Sequence, residues 1–547
     1  MSESMEYESD TSVARRMYSA ISYMVVLFGI GIPMWWYTTQ LYRMALPDTR
    51  MQNLGTAPLQ IQMNIHLATT SVNFKQLIIN EINEHFKNSD IINVNIHEIK
   101  VNKEWLPTNI ENVNDIASTI ENHFIINTGD IMLIEWPNSP HEIVVTSNRI
   151  IYFNTETTGP RLIKVLSKWI LQEDTLNHMM ENMKQPTLQK QDSIVRKRVS
   201  AADQYDVLVT VVNPDPEWTK VNWNVKDVAI QYLTPFFQSI SHISNVTLKS
   251  QWLYYVSISD KLEKHAIVDK NGLTNEWNNK RFTLNEQQLP YLITMFETKL
   301  ASHVSKNPCL NLIVYINDCK HAPLQFYNPK GNRYNGPNAF MSPRWGGVIF
   351  INPEANECKK SLENQTKINV TPDSQYIMSI FITQLRQLLG IPELENINGV
   401  HIIPITSSTP RQWELDALMR LRTFEQILSA RLTLKSLAQL LTEITTIVIN
   451  DEVGASIHSA VDNAEIAAEY LSNNDLHNAF IKSRMAFLSS EAAFYDPSLL
   501  ALLYFPDDQK YAIYIPLFLP IMIPVIISLN TIRAWLVSKP NKATKTD

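Results

Sequence analysis

The sequence has little glycine and little cysteine. Only 13 of its 547 residues are glycine, against a typical share of about 7%. It contains neither a G-x-x-x-x-G-K-[ST] motif nor a G-x-G-x-x-G motif, which excludes the common glycine-rich phosphate-binding loops. The three cysteines, Cys309, Cys319 and Cys358, are too few for a disulfide scaffold. They permit either one bridge with one thiol left over or three unpaired thiols.

The sequence also lacks a basic stripe and the motifs of common hydrolases and metal sites. Its formal charge of −7 argues against a nucleic-acid binder. His97 and His141 are each followed by glutamate, but neither begins an H-E-x-x-H motif, and G-x-S-x-G is absent. Cys309 begins an apolar run, which favours a buried thiol, and Cys319 with His321 is only a pair of sequence neighbours. We therefore predict no catalytic residue, no cofactor and no metal site.

Two long apolar runs lie near the ends of the chain. The first, residues 17–37, carries no charge and is long enough to cross a bilayer. It ends in Trp35, Trp36 and Tyr37, which is typical of the aromatic belt where a helix leaves the membrane. A cleaved signal peptide is the alternative, but no small-residue cleavage site follows the run. We predict an uncleaved transmembrane helix preceded by a cytosolic tail, residues 1–16.

The second run, residues 511–532, is also uncharged. A signal for lipid-anchor attachment would end in its apolar tail, whereas this chain continues into a basic tail, so we predict a retained span. Pro516, Pro520 and Pro524 lie on one side of a helix and should bend or partly unwind it. Because freed carbonyls need partners in lipid, packing against other membrane proteins is favoured over a kink in a lone anchor.

The charges predict the topology. The tail, residues 533–547, contains Arg533 and three lysines, which favour the cytosolic side. Two spans then place both termini in the cytosol and the body of the chain in the lumen of the secretory pathway. Three acceptor sequons, at Asn245, Asn364 and Asn369, agree with this topology because N-glycosylation occurs only there.

The predicted fold is an α/β lumenal domain, a mixed sheet with helices, plus a C-terminal helical bundle, flanked by two transmembrane helices. Strand-like and helical patterns alternate over residues 43–185 and 205–400, and the polar segment 184–204 is the predicted linker. Three apolar helix faces within 411–496 predict the bundle, with Asn474 as a possible N-cap of the third helix. Core packing explains these faces better than partner docking.

The segment NAFMSPRWGGVIFIN, residues 338–352, is the most distinctive loop. Gly346 and Gly347 permit tight backbone geometry, and Arg344 and Trp345 could pair with a carboxylate or stack on a partner. Packing of Trp345 into the core of its own strand is the favoured interpretation, and partner recognition is the alternative.

Four segments resemble the PIG-S family, whose members are subunits of the glycosylphosphatidylinositol (GPI) transamidase of the endoplasmic reticulum. The resemblance runs end to end, is most specific in the C-terminal third and is loose over residues 55–200, and Tyr37 stands where a lysine is expected. The segments are GIPMWWYTTQLYRMALP (31–47), VVNPDPEW (211–218), AFMSPRWGG (339–347) and SSEAAFYDPSLLALLYFPDDQKYAIYIPLFLP (489–520).

The resemblance implies a non-catalytic subunit of a membrane complex that cleaves a C-terminal signal and attaches a GPI lipid. Its implied partners are the catalytic cysteine-protease subunit PIG-K, together with PIG-T, PIG-U, a GPAA-type subunit and membrane lipid. Arg344, Trp345, Pro516, Pro520 and Pro524 are the candidate contact residues. Direct handling of the GPI lipid or substrate through the proline-bent span is the alternative, and a free-standing lumenal hydrolase is a more distant one.

Overall fold

The structure is a computed structural model, and part of the chain lies outside its description. That part includes residues 185–196 of the predicted linker, residues 1–9 of the N-terminal tail and residues 539–547 of the basic tail. The described residues are 10–39, 42–155, 157, 159–184, 197–258, 263–266, 280–327, 336–405, 408–444, 447–501 and 507–538.

The chain forms two compact units. The terminal unit comprises residues 1–57, 430–463 and 485–547, and the sheet unit comprises residues 58–429 and 464–484. Each compact unit is assembled from separate segments of the chain, whereas the predicted domains are continuous ranges. The division into units therefore does not test the predicted boundaries, which stay predictions.

The described elements comprise helices α1–α16 and strands β1–β16, each numbered in chain order. The helices are α1 (Asp10–Val26), α2 (Ile32–Thr39), α3 (Asp48–Leu54), α4 (Val72–Lys87), α5 (Val113–His123), α6 (Gly159–Val165), α7 (Glu173–Lys184), α8 (Val225–Ile240), α9 (Leu289–Glu297), α10 (Ala355–Asn364), α11 (Ser374–Leu389), α12 (Gln412–Glu443), α13 (Asp451–Ser472), α14 (Leu476–Phe494), α15 (Pro497–Ala501) and α16 (Asp507–Ser538). The strands are β1 (Ile61–Ala68), β2 (Ile92–Ile99), β3 (Ile131–Glu135), β4 (Ile143–Val145), β5 (Ile150–Phe153), β6 (Gln204–Asn213), β7 (Thr219–Val221), β8 (Asn245–Tyr254), β9 (Glu263–Ala266), β10 (Lys280–Asn285), β11 (Cys309–Ile316), β12 (Leu324–Tyr327), β13 (Ala339–Ser342), β14 (Gly346–Ile351), β15 (Ile368–Val370) and β16 (Val400–Ile402).

The first sheet of the sheet unit has six strands in the order β16-β4-β5-β3-β1-β2. In β1, Ile61, Met63 and Ile65 are fully buried while the residues between them are half-buried, which is the alternation that predicts such a strand. β4 is antiparallel to β5, and the other pairs are parallel. The short strand β16 comes from the end of the second predicted α/β region, yet it completes this first sheet.

The second sheet has five strands in the order β13-β14-β11-β6-β8. β6 is an almost continuous buried apolar run because it pairs in parallel on both sides, with β11 and with β8. Only the edge strand β13 is antiparallel to its neighbour. α11 ends as predicted at Gly390, whose φ of 106° suits a helix C′ glycine.

The mixed sheets with helices, and the helical C-terminal part, confirm the coarse fold prediction. Two smaller sheets, β12-β10-β9 and β15-β7, complete the strands. The proposed cap of α14 was wrong: Asn474 has a φ of 62°, and Asp475 instead accepts the backbone N–H of Asn478 at 3.1 Å. The sequence suggested the preceding asparagine because Asn and Asp are comparable caps.

The terminal unit contains both apolar runs. α1 continues through a π-helical turn, Leu27–Gly31, into α2. Among the described residues, Ala14–Thr38 is the helix that is long and apolar enough to cross a membrane, while Phe518–Arg533 within α16 is a shorter apolar helix. The second span therefore stays a prediction.

Candidate functional site

The carboxyl ends of β6 and β11 lie at a topological switch point of the five-stranded sheet. β8 follows β6 on one side of the sheet, and β14 follows β11 on the other, so the strand order reverses between them. Open parallel sheets bind ligands at such a switch point. Asn213 and Asn317 close these two strands and are both buried.

These asparagines hold loops. Asn213 Nδ2 donates to Thr219 O at 2.9 Å, and Asn317 Nδ2 donates to His321 O at 2.7 Å. Asn352, after β14, accepts from Leu324 N at 2.8 Å through its Oδ1. The side-chain amides therefore hold the loops that leave the sheet in place, so these residues have a structural role at this edge.

The cysteine beside the histidine is not a nucleophile. Cys319 is joined to Cys358 by a disulfide, which links the loop after β11 to α10. The ring of His321 bonds to the carboxylate of Asp318, with 2.6 Å between Nδ1 and Oδ1. Of the two alternatives that the sequence left open, the structure has one bridge and one remaining thiol.

The remaining thiol, Cys309, is half-buried at the start of β11. Burial, helped by the negative charge of Asp206, raises the pKa of the Cys309 thiol to about 11. The group is therefore a neutral thiol near pH 7, whereas a cysteine nucleophile needs a thiolate. Over the described residues, no three His, Cys, Asp or Glu side chains form a group that could hold a metal ion.

The loop between β13 and β14 is tightly built. A Cβ on Gly346 would lie 1.9 Å from the carbonyl oxygen of Asn311, so only glycine lets β14 approach β11 this closely at that point. Trp345 is half-buried against the apolar cluster on this face of the sheet. Arg344 is exposed, with a φ of 62°. The loop thus leaves Arg344 as the partner-contact candidate with the freer side chain.

The three sequon asparagines are all exposed. Asn245 begins the edge strand β8, Asn364 ends α10, and Asn369 lies in the short strand β15. Exposure is the geometric requirement for carrying a glycan, so none of the three positions is excluded by burial.

The two apolar helices contact each other within the terminal unit. Trp35 meets Tyr514 and Phe518 edge-on, with ring centroids 5.7 and 5.2 Å apart. The hydroxyl of Tyr23 donates to Ile521 O at 3.3 Å. These contacts define one side of α16 as the α1–α2 side.

The first two prolines of α16 lie away from that side. Pro516, Pro520 and Pro524 are exposed. At about 100° per residue, Pro516 and Pro520 lie about 100° or more around the helix from Tyr514 and Ile521, whereas Pro524 lies nearer, about 60° from Ile521. The helix is continuous from Asp507 to Ser538, so the predicted partial unwinding is not found. Each proline removes one N–H donor from the helix, but the residues around it keep helical backbone geometry.

The segment after the first apolar helix is fastened to α12 and α13 within the terminal unit. Tyr42 bonds to the Asp451 carboxylate, and Arg43 donates to Leu441 O at 3.0 Å. Farther along, Arg50 pairs with Asp462 at 2.7 Å. These contacts attach the chain that follows the first apolar helix to the helical part.

Met44 completes this attachment. A Cβ on Gly454 would lie 2.2 Å from Met44 Sδ, so the methionine side chain occupies the space that a larger residue in α13 would need. We call the segment from Tyr42 to Arg50 the juxtamembrane segment.

Sequence reasoning missed the buried arginines of α12. Arg420 donates to Ile170 O and to Gly129 O, both at 2.9 Å, and burial lowers the pKa of its guanidinium while Asp416 and Asp130 oppose that shift. Arg422 donates to Val199 O at 3.1 Å and to Leu389 O at 2.9 Å. These side chains satisfy carbonyls where other elements end, and hydrophobic periodicity carries no signal for them.

Comparisons with known proteins point in one direction. The sequence profile of a family described as phosphatidylinositol-glycan biosynthesis class S protein, PIG-S, matches residues 22–539. A protein of Bos taurus named GPI-anchor transamidase component PIGS is 30% identical over 98% of this chain and 98% of its own length. The Homo sapiens protein of that name is also 30% identical, over 97% and 98%. A GPI transamidase component PIG-S homolog of Schizosaccharomyces pombe is 24% identical, over 92% and 81%.

Proposed function

We propose that this chain, which belongs to the PIG-S family, is a structural, non-catalytic subunit of the GPI transamidase complex of the endoplasmic reticulum. In that role it supports the attachment of GPI anchors after a C-terminal signal is cleaved. The observation that carries the proposal is the match of nearly the whole chain to relatives named as components of the transamidase. Both apolar helices fall largely within the matched residues.

The cysteine chemistry supports the non-catalytic role. Cys319 and Cys358 are consumed by a disulfide, and the Cys309 thiol has a raised pKa. Catalysis then belongs to another subunit, for which the PIG-S resemblance implies PIG-K, with PIG-T, PIG-U and a GPAA-type subunit as further partners. Arg344 and Trp345 are proposed contacts to such partners.

The proposed topology has two spans, residues 17–37 and 511–532, with residues 43–510 in the lumen and both termini in the cytosol. The contact of Trp35 with Tyr514 and Phe518 supports it, because two helices that cross a bilayer together need such packing. The exposed apolar side chains of α16 suit contact with lipid tails. The proposed glycans are those at Asn245, Asn364 and Asn369.

Replacement of cysteine tests the role. In cells that lack the endogenous subunit, Cys309→Ala should restore surface GPI-anchored proteins to the level of the unaltered chain. The Cys319→Ala/Cys358→Ala variant should lose only as much activity as it loses in abundance. Loss of transamidation by Cys309→Ala with normal abundance and normal recovery of the other subunits would refute the non-catalytic assignment.

The second candidate, direct handling of GPI lipid or substrate, rests on the prolines of α16. Their missing N–H groups leave the carbonyls of Ala512, Pro516 and Pro520 without helical donors, and in lipid such groups need partners. Replacing all three prolines by alanine restores the helical hydrogen bonds. Reduced recovery of the other subunits after mild detergent extraction supports structural packing, whereas normal recovery with weaker binding of GPI lipid supports the second candidate.

A further inference from the structure

A groove runs along the edge strand β13 of the five-stranded sheet, between β13 and α11. Its volume is about 860 Å³, within the range of about 300–1,000 Å³ that ligand sites occupy. Its walls are mainly apolar and include Phe326, Phe340, Met341 and Ile380. All of the lining residues belong to the sheet unit.

The backbone of β13 faces this groove with hydrogen-bonding capacity. Phe350 N donates to Asn338 O at 2.8 Å, and antiparallel pairing alternates. The register, with Met341 opposite Gly347, therefore turns the N–H and C=O of Met341 away from β14. The outward N–H of Ala339 already donates to Pro337 O at 2.7 Å, so Met341 is the residue of β13 that offers its N–H and C=O to an added strand. Among the described residues no strand pairs with β13 on that side.

α11 forms the opposite wall. Its lining residues run from Ser379 to Gln387 along one face, which is about 12 Å at 1.5 Å per residue. An extended chain covers that distance in about four residues. Gln384 Nε2 donates to Phe340 O at 3.1 Å and thereby holds the helix at a fixed distance from the strand.

One end of the groove is cationic. Lys197 lines it, and Lys197 O accepts the backbone N–H of Arg344 at 3.1 Å. Both side chains are exposed. Glu393, which accepts from Gln387 at 3.5 Å, is not among the lining residues. Arg344 is likewise not among the lining residues, so a carboxylate on the ligand would meet the positive charge of Lys197 at this end.

We propose that the groove binds an extended segment of another polypeptide as an added strand antiparallel to β13. β13 runs toward the cationic end, so an antiparallel partner begins there. The segment therefore carries an acidic residue first and alternating apolar residues after it. A carboxyl terminus at that end would require the rarer parallel pairing. Addition of a strand to an open sheet edge is a common mode of peptide recognition, with main-chain bonds giving affinity and side-chain pockets giving specificity.

Peptide binding to the full-length chain in detergent tests the proposal. The probe is a fluorescent, acetylated and amidated octapeptide with aspartate at position two, followed by alternating apolar residues and serines. Saturable binding by anisotropy is expected, and the matched asparagine peptide should bind about two- to fivefold more weakly, as for an exposed ion pair. Lys197→Ala should remove that difference between the peptides. The matched control is Lys367→Ala, which changes an exposed lysine outside the groove.

Variants of the groove itself decide whether binding occurs there. Thr383→Trp fills the groove from the α11 side and should weaken binding of the aspartate peptide at least about tenfold without lowering the melting temperature. Met341→Pro removes the edge N–H and should do the same. No saturable binding, or binding that Thr383→Trp leaves unchanged, overturns the proposal. Equal affinity for the two peptides overturns the inference that the cationic end recognises an acidic residue. Failure here is distinct from failure of complex assembly, because the peptide assay uses the chain without its partners.

Discussion

At the scale of single residues, the cysteines allow a direct chemical prediction. The pKa of the Cys309 thiol is raised to about 11 from an ordinary value of 9.0, and each unit lowers the thiolate fraction at pH 8 about tenfold. Iodoacetamide should therefore modify native Cys309 about a hundredfold more slowly than the unfolded chain. Unfolded protein kept from reductant should show one free thiol, and reduction should reveal all three. Three free thiols before reduction would contradict the bridge.

Buried charge gives a second prediction at this scale. Asp416 accepts from Arg149 Nε at 2.5 Å, from Arg149 Nη2 at 2.9 Å and from Gly129 N at 3.0 Å, and its side chain is 6% exposed. Asp416→Ala leaves the Gly129 N–H and Arg149, whose side chain is 20% exposed, without these bonds. The loss should therefore lie toward the lower end of the about 3–5 kcal/mol that breaking a fully buried pair costs.

The melting temperature of the purified full-length chain measures the loss. The matched control is Glu395→Ala, which breaks the exposed pair between Lys168 and Glu395 at 2.8 Å and should leave the melting temperature unchanged. Equal melting of the Asp416→Ala variant and the unaltered chain would show that the network adds no stability.

At the scale of elements, local sequence patterns predicted individual strands and helices, but not the contacts between distant segments. The alternation in β1 and the glycine after α11 identified those elements because each signal depends on local backbone geometry alone. The pairing of β16 with β4 depends on a partner more than two hundred residues away, which no local pattern records. The contacts of Arg420 and Arg422 could not be predicted from local patterns either, because their carbonyl partners lie in distant parts of the chain.

The juxtamembrane segment supplies the prediction for this scale. Gly454→Val places side-chain atoms where Met44 lies, and should release Met44 together with the neighbouring backbone bridge between Arg43 and Ile449. Trypsin should then cleave after Arg43 and Arg50 several-fold faster, because proteolysis follows local opening. Mass spectrometry of the first fragments gives the rate.

Ala455→Val is the control, since Ala455 is the exposed neighbour of Gly454 on α13 and the same side chain added there meets solvent. Equal cleavage rates for the two variants would mean that Met44 does not hold the segment in place.

At the scale of the whole molecule, only part of the candidate site could be predicted from the sequence. The loop with Arg344 and Trp345 was identified because its proline and paired glycines are distinctive. The groove beside it was not, because α11 and β13 are joined across it by Gln384, more than forty residues from Phe340. That the three prolines of α16 share one side was predicted from spacing alone, since recurrence every four residues places them along one side of any helix. Their exposure was not predicted.

The two-span topology makes the final prediction. With an epitope tag at each terminus, protease added to sealed microsomes should remove both tags and leave a protected fragment that retains the sequons. Endoglycosidase H should shorten that fragment, and Asn245→Gln, Asn364→Gln and Asn369→Gln should each remove any glycan carried at that position, as their exposure permits. Detergent added before the protease is the control and should expose the whole chain. A C-terminal tag that survives in sealed vesicles would mean that α16 does not cross the bilayer. Digestion of the body with both tags spared would reverse the orientation, and with it the lumenal role proposed for the sheet unit.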